Sequence, residues 1–139
     1  MASLLYALPR VILALEYFIG GIPRLGPWPF KSLHGRIYRK TQTTAPHLSP
    51  IYPFTGSRNI KLHMLYVGSL MITEGILLFL PQTRGTAVTL FLGCFLTGSG
   101  YWSQMRAGMP YWLPVTNFVL AWVVYFVENR ARGINKLAR

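Results

Sequence analysis

Three carboxylates are the whole acidic complement of this 139-residue chain, set against 14 lysines and arginines. Glu16 and Glu74 each lie inside a long apolar stretch, and Glu128 closes another. A buried carboxyl without a partner stays protonated and can serve as a general acid; one held ionised by a cation can serve as a base or electrostatic stabiliser. Spacing supplies possible partners. His63 and Glu74 are eleven residues apart, about three helical turns, so they share a face with Tyr66 and Leu70. Asn117 and Glu128 repeat that interval, whereas Arg10 and Glu16, six apart, are badly placed to pair on one helix. The structural use of the same groups is adhesion: Glu16 or Glu74 bonded across helices to Thr73, Asn117, Ser99 or Tyr101 would contribute about 0.6–2 kcal/mol. Glu128, followed by Asn129 and Arg130, reads as a solvated helix end.

Other chemistries find little support. Cys94 is the single cysteine, which excludes an internal disulfide, a thiolate zinc site or a paired-cysteine redox centre. His34, His47 and His63 are irregularly spaced, with no His-x-x-x-His or Glu-x-x-His pair to hold a metal. Glycine-rich phosphate loops and Gly-x-Ser-x-Gly turns are absent. No cofactor and no metal are expected.

The elements that must position the carboxylates are four apolar stretches, 4–22, 62–80, 86–102 and 111–127. A bilayer core needs roughly 17 or more helical residues, and each stretch reaches that length. A charged group at mid-membrane costs about 2.5–3.5 kcal/mol or more, which makes Glu16 and Glu74 functional candidates. With 52% hydrophobic and 12% charged residues, the expected fold class is all-α: one integral membrane domain, 1–139, built as a four-helix antiparallel bundle. The net charge of +11 belongs to residues flanking the stretches, which suits membrane lipid head groups and leaves no basic face for nucleic acid.

Gly20, Gly21 and Pro23 are expected to end the first stretch. Residues 23–61 then form a long connection, with six prolines interleaved with Trp28, Phe30, Tyr38, Tyr52 and Phe54. Aromatic content of this kind favours an ordered interfacial cap, with a short helix around 31–40, over a solvated linker. Short connections at 81–85 and 103–110 make their flanking stretches antiparallel neighbours. Four spans put both termini on one side, and six positive charges on that side against eight on the other leave orientation open. A cleaved signal peptide is not expected, since Arg10 and Glu16 interrupt the first apolar run. Gly85, Thr89, Gly93 and Thr97 form a small-residue ridge for close helix approach, which Gly68 and Gly75 are placed to face.

Two segments resemble the DoxX-like group of four-span membrane proteins. RVILALEYFIGGIPRL, 10–25, is similar to that group's opening span, and ITEGILLFLPQTRGTAVTLFLGCFL, 72–96, to its second and third. The resemblance carries over Glu74, Gly75 and Arg84, and implies a place beside membrane oxidoreductases; the long first loop departs from the pattern. In overall build the chain is also similar to small membrane epoxidases, epoxide hydrolases and cyclases of fungal polyketide and terpenoid pathways, which implies the endoplasmic reticulum of a eukaryote.

These readings lead to an expected membrane-embedded enzyme that acts by acid–base chemistry on a lipophilic small molecule: epoxide opening, cyclisation or isomerisation. Glu74 would donate a proton, and Glu16, ionised near Arg10 or Arg106, would activate water or a hydroxyl. Tyr17 and Tyr101 would polarise oxygens. The alternatives are a proton-coupled exporter of the small multidrug type, working as a homodimer with Glu16 as its membrane carboxylate, and a non-catalytic subunit of a partner oxidoreductase.

Overall fold

The computed structural model describes residues 2–137, with side chains from 6 to 133; Lys136 and Arg139 of the basic tail therefore fall outside the described side chains. Among the described residues the chain is all-helical. Helix α1 spans Ala2–Leu25, α2 Lys31–Thr44, α3 Ile60–Phe79, α4 Ala87–Arg106 and α5 Trp112–Leu137. Short 3-10 turns at Ala45–Leu48 and Ser57–Asn59 complete the segment before α3.

Local chemistry sets the boundaries. Helix α1 runs through the expected stop at Gly20, Gly21 and Pro23 and ends only before Gly26 and Pro27. The two glycines are accommodated because α3 lies close: a methyl on Gly21 would meet the Gly68 carbonyl oxygen at 3.2 Å. Leu80, extended ahead of Pro81, terminates α3, as the residue before a proline is driven out of the helical region. Gly85, with φ of +101°, turns the chain into α4, whose first turn is capped by Thr86 Oγ1 accepting from the Thr89 amide. In α5, Pro114 stands in the first turn, where a missing N–H costs nothing. The helix expected over 31–40 extends to Thr44.

Helix α1 packs most extensively on α3 and also touches α5; α4 lies against α5 and α3, and α2 covers α1, α3 and α4. The central core joins Leu13, Ala14 and Tyr17 of α1 to Leu78, Leu96, Ala121 and Val124. A smaller cluster of Ala45, Ile60 and Met64 seats the cap. Gly68 and Gly75 face α1, not the α4 ridge: added methyls would strike Arg24 Cβ and the Phe18 ring. The ridge itself is buried at Thr89, Gly93 and Thr97. Outward faces are apolar on all four long helices, with Leu15 and Ile19 on α1, Leu65 and Ile76 on α3, Phe91 on α4 and Phe126 on α5 exposed. Among the described residues one helical stretch, Ser57–Phe79, is long and apolar enough to cross a membrane, where the sequence leads one to expect four.

Candidate functional site

A cavity of about 440 Å³ lies between the long helices and the cap. Its wall on α1 is a stripe of Glu16, Gly20 and Arg24, spaced i, i+4, i+8, which places the carboxylate and the guanidinium about 12 Å apart along the helix. Ile37, Lys40, Thr41 and Thr44 of α2 close it from above, at the i, i+3, i+4, i+7 spacing of one helix face. Leu96, Val67, Met71 and Leu113 supply apolar wall.

Glu16 faces this cavity and accepts a hydrogen bond from Asn117 Nδ2 at 3.1 Å. Of the four cross-helix partners weighed from sequence, Asn117 is the one it meets. Arg10 and Arg106 are not beside it. Arg10 instead donates to Glu128 at 2.7 Å, and Arg84 reaches the other Glu128 oxygen at 3.0 Å. Glu128 is thus buried and doubly paired, not a solvated helix end, because the turn at Gly85 folds back against it. Arg106 lies over the Trp102 ring at 5.6 Å. Tyr101 packs edge-on against Tyr111, ring centroids 5.2 Å apart. Neither Tyr101 nor Arg106 lines the cavity.

Glu74 is 1% exposed and stands behind the cavity wall. One carboxyl oxygen would lie 3.1 Å from a methyl placed on Gly93; the other, Oε2, has no hydrogen-bond partner. Its neighbour is a void of about 10 Å³ shared with Thr89, Ala121 and Tyr125. Tyr17, which lines the cavity as Glu74 does not, donates to the Gly93 carbonyl at 3.3 Å.

At the cap lie Tyr52 and Lys40, which sequence reasoning did not single out for chemistry, and against it lies His63 of α3, which it did. Tyr52 is buried, stacks on Phe95 with centroids 5.1 Å apart, and shares a 2.9 Å hydrogen bond with Ser99. His63 is placed with its Nδ1 3.1 Å from the Pro53 carbonyl oxygen, so the neutral ring with Nδ1–H donates there and leaves Nε2 as an acceptor. Lys40 lines the same space, and its ammonium is held below the ordinary lysine value, first by burial and then by the Arg24 charge. Burial pushes the Tyr52 phenol up. The signal for these residues was weak: Tyr52 is one aromatic among many in the connection. Among the described residues no group of three His, Cys, Asp or Glu side chains could hold a metal ion.

No protein-family model, curated protein or solved structure matches this chain.

Proposed function

We propose that this chain is a multi-pass membrane enzyme that uses Glu16 to carry out acid–base chemistry on a lipophilic small molecule held under the cap. The observation that carries this reading is a carboxylate, oriented by Asn117, facing a cavity with both apolar wall and polar groups. The cavity volume falls in the roughly 300–1,000 Å³ range of ligand pockets. Apolar outer faces on all four long helices support the membrane assignment, since large contiguous apolar surface is not left in water.

In this reading Glu16 takes a proton from water or a substrate hydroxyl, and Asn117 holds the carboxylate in position. The Tyr52 hydroxyl, braced by Ser99, donates to the oxygen on which negative charge develops. The reaction class is ring opening of an epoxide, cyclisation or isomerisation, all of which need one acceptor and one donor of protons. The DoxX-like resemblance of 10–25 and 72–96 fits the helical architecture and leaves the chemistry to the cavity.

The test is turnover of terpenoid epoxides by the purified protein in detergent, comparing wild type with Glu16→Gln. Glutamine keeps the hydrogen bond to position 117 but accepts no proton, so turnover should drop roughly 10²–10⁴-fold with unfolding temperature unchanged. Undiminished turnover in Glu16→Gln would remove the assignment. Proton-driven flux in vesicles without product formation would favour the exporter.

A further inference from the structure

The cavity has a cationic end without an anion of its own. Arg24 and Lys40 both line it, and every carboxylate side chain of the protein is accounted for elsewhere. Glu128 is taken by Arg10 and Arg84. Glu74 is buried away from the cavity lining, and Glu16 is bonded to Asn117, about 12 Å along α1 from Arg24. Arg24 donates to the Gly20 carbonyl of its own helix, and no salt bridge to it or to Lys40 forms among the described residues. Two like charges facing one partly desolvated space repel each other and lose hydration, a cost that an anion placed between them offsets. The Lys40 ammonium is depressed first by burial and then by the Arg24 charge, as this arrangement requires.

We infer that the cavity takes a single-chain anionic amphiphile, its phosphate or carboxylate head held by Arg24 and Lys40 and its apolar chain running past Val67, Met71 and Leu96 toward Glu16. This inference deepens the proposed function by naming its substrate class, and rests on that reading only for what Glu16 then does. The head would gain charge-assisted hydrogen bonds from a guanidinium and an ammonium, with Thr41 and Thr44 of α2 beside them. The reacting carbon would lie along the chain, one α1 stripe away from the head. Binding energy from the remote anionic head would thereby position the reacting centre.

The experiment is a titration of the intact protein, in a non-ionic detergent, with dodecyl phosphate, dodecanoate and dodecanol, read by native mass spectrometry. One molecule of either anion should bind, roughly tenfold or more tighter than the alcohol, as expected for a charge-assisted bond. Lys40→Gln should erase most of that preference and Lys40→Arg should restore it. Arg24→Gln should act in the same direction, but Arg24 also packs on Gly68, so Lys40 carries the decision. Equal affinity for alcohol and anions, or a preference untouched by Lys40→Gln, would overturn the inference. So would displacement by equimolar inorganic phosphate, which would mark a small-anion site, or tighter binding of a two-chain phosphatidate, which would mark a bilayer lipid. Glu16→Gln separates the two proposals: it should abolish turnover yet keep the preference for the anion. Anion-selective binding without turnover in wild type would leave the site standing and sink the enzyme.

Discussion

At the scale of single residues the two glutamates inside apolar stretches divide into different jobs. Glu16 reaches the cavity and has a partner that leaves its second oxygen free to react; Glu74 reaches neither cavity nor partner. A buried carboxyl oxygen without a hydrogen bond costs about 1–3 kcal/mol, so Glu74 destabilises the bundle where it stands. Glu74→Leu, which conserves bulk and removes the orphaned oxygen, should raise stability by an amount of that order, read as a higher unfolding temperature in detergent. Glu74→Gln should leave turnover within about threefold of wild type, far from the 10²–10⁴-fold drop expected of a lost acid or base. If Glu74→Gln is as inactive as Glu16→Gln, Glu74 feeds protons through Tyr17 and the division proposed above fails. The sequence marks both residues equally, because an apolar stretch with one Glu says nothing about which way that Glu points.

At the scale of elements, the connection between α3 and α4 is tied to α1 and α5 by one carboxylate. Glu128 holds Arg10 and Arg84, while Arg132 donates to the Pro81 and Gln82 carbonyls and Asn129 to that of Gly85. Glu128→Gln strands two guanidiniums. Removing one partner of a buried pair costs about 3–5 kcal/mol, and the partial exposure of Arg84 brings the expected loss to about 2–3 kcal/mol, measurable by denaturant unfolding; a loss below about 0.5 kcal/mol would mean the clamp is solvated. The helix locations were legible from apolar run length and proline positions. The clamp was not: Arg10 and Glu128 are 118 residues apart, and no local pattern reports a contact at that separation. Nor was the cap's inner face, since 23–61 is dominated by prolines and aromatics whose targets lie on other helices. Lys40 on α2 gives this element a pH signature. A base whose folded pKa is lowered binds its proton less well folded than unfolded, so stability climbs with pH from the lowered value up to the ordinary one near 10.4. Glu16, Tyr17, Arg24, Tyr52 and His63 line the same cavity, and Tyr52, raised by burial, acts with the opposite sign only above about pH 10. The unfolding temperature of wild type minus that of Lys40→Gln should therefore increase as pH rises toward about 10; a flat difference would place Lys40 in water.

At the scale of the molecule, the proposal separates a part that inserts from a part that encloses. The four long helices close their own backbone hydrogen bonds and contact one another directly, so their proposed insertion does not depend on the cap. The cap's contribution is the lid of the cavity: α2 supplies Lys40 and Thr44, the 3-10 turn supplies Leu48, and Tyr52 bridges to Ser99 on α4. Replacing 28–54 with a short glycine–serine linker should leave a protein that extracts in detergent as a monodisperse species, with tags at both ends still reporting one compartment. It should lose turnover and the preference for anionic amphiphiles together, because the tyrosine donor and the lysine leave with the segment. The Ala45, Ile60 and Met64 cluster sets what the bundle itself loses: Ile60 and Met64 would be uncovered, and a large-to-small change at two such positions costs a few kcal/mol. The expected result is thus a lower unfolding temperature with insertion intact. Tags reporting opposite compartments in the full chain would remove the four-span arrangement. Failure of the shortened chain to insert at all would show instead that the cap nucleates the bundle, and the division between inserting and enclosing parts would be lost.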